Sequence, residues 1–177
     1  MAITRLGGAN AISGTLPAAN INDTSIGNIT SLPSGVTNAG KVLQVVQSIT
    51  NTRVATTSTT FTNLFTANIT PSATSSKIFI TTSIPCRKLD NAASNTSLGL
   101  RLLRDSTTLN TFGSYVAWND NTALYEQETA SFQYLDTPSS TSQITYKVQY
   151  KTMNASGDVS LCHDSSGASL TLMEIAG

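Results

Sequence analysis

At 177 residues the chain is long enough for one domain with a core of its own and some extended material besides. Only 11% of its residues are charged, against about 25% in ordinary globular domains, while Ser and Thr number 51 and Asn 14, so hydroxyls and amides cover the surface in place of ion pairs. Ten basic residues balance ten acidic ones, which leaves no net field to steer the chain toward nucleic acid, an anionic membrane or an acidic substrate.

The first residues, Met1-Ala-Ile-Thr-Arg-Leu-Gly-Gly, lack the basic leader and apolar run of a secretory signal. No stretch approaches the roughly 18 apolar residues that span a bilayer, so membrane insertion is not expected. Residues 1–40 read as an extended N-terminal arm. Two Leu-Pro pairs, Leu16-Pro17 and Leu32-Pro33, block helix and push each leucine toward extended geometry. Between them Ile21, Ile26 and Ile29 follow neither a helical nor an alternating period, and such a segment cannot bury much surface against itself. It is either a disordered tail or an arm that orders against a partner. On the second reading Leu16, Pro17, Ile21, Ile26, Ile29 and Leu32 anchor it to sister chains or to another protein.

The arm ends in Gly35-Val-Thr-Asn-Ala-Gly40-Lys41, which fits the first seven positions of a phosphate-binding loop. The eighth, where magnesium needs a hydroxyl, is Val42, and the segment opens an apolar strand where a phosphate-binding loop opens a helix. It reads as a flexible joint, with Gly35 and Gly40 permitting the turn from arm to domain.

Residues 41–177 change to period two, the signature of half-buried strands. Strands are predicted over 42–49, 61–69, 77–84, 97–103, 130–135, 144–150, 159–162 and 169–175. In the third, Ile78, Ile80 and Ile84 share one face and Phe79, Thr81 and Ser83 the other. In the sixth, Ile144, Tyr146, Val148 and Tyr150 alternate with Thr145, Lys147, Gln149 and Lys151. Turn signals separate them at Thr70-Pro71-Ser72, Pro85, Asp90-Asn91, Asp105-Ser106, Asp136-Thr137-Pro138-Ser139, Ser156-Gly157-Asp158 and Ser165-Ser166-Gly167. The fold class is therefore all-β, a jelly-roll-type β-sandwich preceded by the arm. Strand faces such as Leu43/Val45 and Leu98/Leu100/Leu102 offer more apolar surface than one small sandwich needs, and closed cyclic assembly would bury the surplus.

Little in the chain carries catalytic chemistry. Cys86 and Cys162 are too few for a disulfide framework and read as reduced, buried thiols. His163 is the one histidine; in Cys162-His163-Asp164 strand neighbours point to opposite faces, so a strand end running into a turn explains it better than a triad or a zinc site. Glu126 and Glu128 share a strand face and could serve glycoside hydrolysis at a separation of about 5–9 Å, but Trp118 is the one tryptophan available to line a sugar groove. Aromatics mixed with Asn and Asp over 115–125 suit loop contacts to a sugar or a protein, with Trp118 and Tyr125 the candidates; alternatively Trp118 closes one end of the sandwich. The five Asn-x-Ser/Thr triplets, at Asn22, Asn28, Asn68, Asn95 and Asn154, follow from composition. No cofactor and no metal is expected.

The segment Ser13-Gly-Thr-Leu-Pro-Ala-Ala-Asn-Ile-Asn-Asp-Thr-Ser-Ile-Gly-Asn-Ile-Thr-Ser-Leu-Pro33 resembles linkers of tail-fibre and other virion proteins of marine and cyanobacterial phages. The pieces Lys41-Val-Leu-Gln-Val-Val, Leu100-Arg-Leu-Leu-Arg-Asp, Tyr134-Leu-Asp-Thr-Pro138, Thr145-Tyr-Lys-Val-Gln149 and Leu170-Thr-Leu-Met-Glu-Ile175 resemble, in the same order, the domain that such linkers carry. The resemblance implies a virion structural protein and not an enzyme: a homotrimeric fibre or spike. Residues 1–40 would anchor it to other virion proteins, in capsid or tail, and the jelly roll would face a host surface glycan or protein. A capsid decoration protein that cements the head is the first rival, and a glycan depolymerase acting through Glu126 and Glu128 the second.

Overall fold

The computed structural model of the chain describes residues 40–88, 96–119, 126–154 and 158–177. The arm residues Leu16, Pro17, Ile21, Ile26, Ile29 and Leu32, the glycine Gly35, Tyr125 and the turns at Asp90-Asn91 and Ser156-Gly157 lie outside the described residues.

Among the described residues ten strands follow in chain order: β1 Val42–Thr50, β2 Val54–Thr56, β3 Thr62–Ile69, β4 Lys77–Lys88, β5 Thr96–Arg104, β6 Thr107–Asn119, β7 Glu126–Asp136, β8 Ile144–Thr152, β9 Val159–Leu161 and β10 Ala168–Ile175, with a 3-10 turn at His163–Ser165. They form two antiparallel sheets. One runs β3-β8-β5-β6. In the other β4 is central: β7 pairs along one of its edges, and β10 followed by β9 share the opposite edge, with β1 beyond β10 and β2 beyond β9. Leaving out the three-residue strands β2 and β9, the sheets read β1-β10-β4-β7 and β3-β8-β5-β6, which is the strand order of a jelly roll.

The predicted alternation is what separates core from surface. Ile78, Ile80 and Ile84 of β4, Leu170 and Leu172 of β10, Leu98, Leu100 and Leu102 of β5, and Tyr146 and Val148 of β8 are all essentially inaccessible. Each such side chain contributes roughly 1.5–3 kcal/mol by leaving water. Leu98, Leu100 and Leu102 are thus core, not the surplus apolar face expected of them: β5 lies inside its sheet between β6 and β8, and its inner face meets the opposite sheet.

Three other expectations are corrected. Pro85 does not end its strand, because β4 continues to Lys88. The Pro85 carbonyl accepts the Cys162 N–H, so the edge on which proline lacks a donor is the one where β10 gives way to β9 and no ladder bond is required. Residues 107–119, read without a strand and partly as an aromatic loop, form β6, and 54–56 form β2. The Asp105-Ser106 turn is present as a two-residue hairpin between β5 and β6, with Asp105 at φ 53°.

Candidate functional site

Of the two expected receptor-contact residues, Trp118 is described. It lies on β6, an edge strand, and is 45% exposed. The pairing of β6 with β5 jumps from Leu98↔Val116 to Leu100↔Gly113, leaving an extra residue on β6. Such a bulge re-aims side chains. Here it accompanies the exposure of Tyr115 (67%), which sequence reasoning did not single out. Ala117, at φ 52°, donates its N–H to the Glu128 carboxylate.

Glu126 and Glu128 do share a face of β7, but local structure claims them. Glu128 holds the Ala117 amide across the sandwich, and Glu126 stands opposite the fully buried Lys88 in register. Glu128 thus ties β7 to β6, and Glu126 lies beside Lys88 in the β4–β7 register.

Cys162-His163-Asp164 is a strand end entering a turn, as expected, with Cys162 left-handed at φ 54°. Both cysteines are free and buried. Burial pushes the Cys86 thiol up to about 12, pushes the Cys162 thiol up as well, and so disfavours the thiolate that nucleophilic chemistry requires. His163 Nε2 contacts the Arg87 guanidinium and lies 3.0 Å from Asp164 Oδ2, beside a cavity of about 340 Å³ also lined by Cys86, Gln127, Glu128 and Thr129. Among the described residues no group of three or more His, Cys, Asp or Glu could hold a metal ion.

Two buried acidic groups act as clasps. Glu174 of β10 is inaccessible and accepts hydrogen bonds from Gln44 Nε2 (2.5 Å), the Ser72 N–H and hydroxyl (both 2.6 Å) and the Ser76 hydroxyl (2.7 Å). Burial alone would raise its carboxyl; the hydrogen bonds outweigh that and hold it at about 2. Asp136, at the end of β7, pairs with Arg104 at 2.9 Å and accepts the Tyr146 hydroxyl at 2.7 Å. Together they join β10 to β1 and the β3–β4 loop, and β7 to β5 and β8.

The outer faces of the two sheets differ in chemistry. On the β3-β8-β5-β6 sheet, Lys147 and Lys151 alternate outward along β8. Arg101 bonds Gln149 at 2.8 Å and, with Lys151, sits over the Phe61 ring, at 4.1 and 4.9 Å. The outer face of the β1-β10-β4-β7 sheet is largely uncharged, and its register sorts it into rows. One row is Val45, Met173, Phe79 and Leu135, one residue from each of the four strands. The next is Gln47, Thr171, Thr81 and Gln133, with Gln47 Nε2 donating to Thr171 Oγ1 at 3.0 Å. The third is Ile49, Ser169, Ser83 and Ser131. Val45 is 57% and Leu135 52% exposed. Val42, the bulged Leu43 and Ile49 of β1 are also exposed, as expected for Leu43 and Val45. The remainder of this surface was missed, although Phe79 and Leu135 each stand on the otherwise polar phase of their strand.

No protein-family model matches the chain, and no curated protein matches it. Among solved structures it is similar to the infectious bursal disease virus Gt strain (TM-score 0.43, 15% identity, 78% of this chain and 39% of that one). It is also similar to the VP2 subviral particle of infectious bursal disease virus (TM-score 0.38, 14% identity, 76% of this chain and 38% of that one). The chain therefore spans less than half the length of the chains it matches.

Proposed function

We propose that the protein is a structural component of a bacteriophage virion, a homotrimeric fibre or spike. Residues 1–40 attach it to other virion proteins, and the jelly roll projects toward the host surface. The observation that carries this reading is the concentration of exposed large apolar side chains, Val42, Leu43, Val45, Ile49 and Leu135, on one outer sheet face. Scattered surface apolar residues are ordinary, but a contiguous patch marks a surface built to be covered. The buried carboxylates Glu174 and Asp136 support the same reading, since both are occupied in fastening strands together. The resemblance of residues 13–33 and of the later strands to phage appendage proteins supports placing the assembly on a virion.

Trp118, with Tyr125, is the proposed contact to a host glycan or protein. Its test is Trp118→Ala. Adsorption to host cells falls several-fold while the melting temperature stays within about 2 °C, because a side chain that is half in water contributes little packing. Unchanged adsorption would remove Trp118 from the contact. Light scattering tests the assembly itself: the reading requires a trimer of the 18.6 kDa chain, and a monomer would refute it.

A further inference from the structure

We infer that the row Val45–Met173–Phe79–Leu135, crossing β1, β10, β4 and β7 on the outer face of their sheet, is the seam at which a second copy of this chain packs. The inference rests on the assembly reading above and adds to it the surface and its occupant.

Register makes the row. Phe79 and Leu135 interrupt the polar outward phases of β4 and β7, Val45 and Met173 continue the apolar outward residues Val42, Ile49 and Ile175 of β1 and β10, and the pairings Val45↔Met173, Met173↔Phe79 and Phe79↔Leu135 set all four side by side. At a strand spacing of about 4.8 Å the row runs roughly 14 Å across the sheet. Val42 and Ile175, opposite each other one step along, extend it at the β1 end. Four apolar residues in one line on the outer face are not needed by the single-chain core, whose inward faces are already filled by Ile78, Ile80, Leu170 and Leu172.

Charge chooses the occupant. The two rows beyond are Gln, Thr and Ser with Ile49, and among the described residues the charged side chain beside the apolar row is Lys77, paired with Ile175. A charged partner would find little there to pair with. Hydroxyls and amides carry both donors and acceptors, and a chain with 11% charged residues and 51 Ser and Thr offers the same chemistry on the flank of a neighbouring copy, so around a three-fold axis this face can meet the next copy head-to-tail without a clash of charge. A depression lined by Thr81, Ser83, Ser131 and Gln133 adjoins the row and gives the seam relief. The opposite sheet turns Lys147, Lys151 and Arg101 outward, and burying these charges against an uncharged neighbour would cost desolvation.

The experiment compares solution mass by light scattering for the full chain and for Val45→Asp, Leu135→Asp and a control, Thr66→Asp. Thr66 is exposed on β3 opposite Lys147, where a carboxylate is accommodated. Val45 and Leu135 are more than half exposed, so both row variants should fold with near-native melting, and both should fall from oligomer to the mass of one chain while the control keeps the wild-type mass. Row variants that keep the oligomeric mass overturn the seam and leave the assembly reading standing; a monomeric wild type overturns both. Should an Asp variant fail to fold, Leu135→Cys decides by its rate of reaction with a thiol reagent, against a background of two buried native thiols. At least a tenfold slowing relative to a free thiol, relieved on dilution to monomer, is expected. Reaction at the free-thiol rate in an oligomer, or protection in a monomer, overturns the inference.

Discussion

Glu174 is an ionisable group whose burial is fully answered by hydrogen bonds, and its consequence is a specific response to acid. Its carboxyl stands at about 2 in the fold against 4.5 for the free group. The folded state therefore favours the charged form, and the stability this contributes is present above about pH 4.5 and is lost as pH falls toward 2. Replacing it by Gln removes the titration. Glu174→Gln should be less stable than wild type at pH 7, and its melting temperature should change less between pH 4.5 and 2 in a series of thermal melts. Tyr146 is the companion case. Its phenol is inaccessible, burial pushes it far above its ordinary range, and its hydroxyl donates to Asp136 at 2.7 Å. Tyr146→Phe leaves a buried carboxylate one donor short, and Arg104 remains to hold it. The expected cost is about 1–3 kcal/mol, read as a lower denaturation midpoint with an unchanged slope.

At the scale of the element, β6 is the informative strand. Its bulge brings Gly113 so close to the facing side chains that an added Cβ would lie 2.6 Å from Val116 Cγ2 and 3.3 Å from Leu100 Cβ. Gly113→Ala should therefore destabilise by about 1–3 kcal/mol through overpacking. Val116→Ala, introduced with it, should recover part of the loss in a double-mutant cycle of denaturant midpoints. The same bulge explains why β6 escaped the sequence reading. Extra residues break period two, so Tyr115, Val116, Ala117 and Trp118 show no alternation, and 107–119 does not read as a strand. β2 escaped because three residues are too few to display a period. The other strands were legible because one phase of each must be apolar to face the core, as in Ile78/Ile80/Ile84 and Tyr146/Val148/Tyr150. Pro85 misled because its effect depends on which edge of β4 is paired at that point, a tertiary fact. The seam was half legible. Val45 shows as an apolar residue on a surface phase, but its alignment with Met173, Phe79 and Leu135 depends on register between strands up to 128 positions apart in sequence.

For the whole molecule, the question is where assembly resides. The described domain begins at Gly40, whose φ of 83° turns the chain into β1 and whose N–H bonds the Ala176 carbonyl at 2.8 Å, while the Ala176 N–H returns to Lys41 at 2.9 Å. These bonds tie the first strand to the last, so the jelly roll closes on pairings between distant segments and is expected to unfold as one cooperative unit. All eight long strands, the Glu174 clasp and the apolar row lie within residues 40–177. A chain lacking residues 1–39 keeps Gly40 and every one of these contacts. It should melt within about 2 °C of the full chain, since all ten strands and the core described between them are kept, and it should keep the oligomeric mass by light scattering. What it should lose is incorporation into particles, measured by western blot of purified virions from a strain expressing the shortened chain. A monomeric shortened domain would move assembly into residues 1–39 and take from the sheet face its role as the seam. Full incorporation without those residues would mean that the jelly roll itself, and not the arm, attaches the protein to the particle.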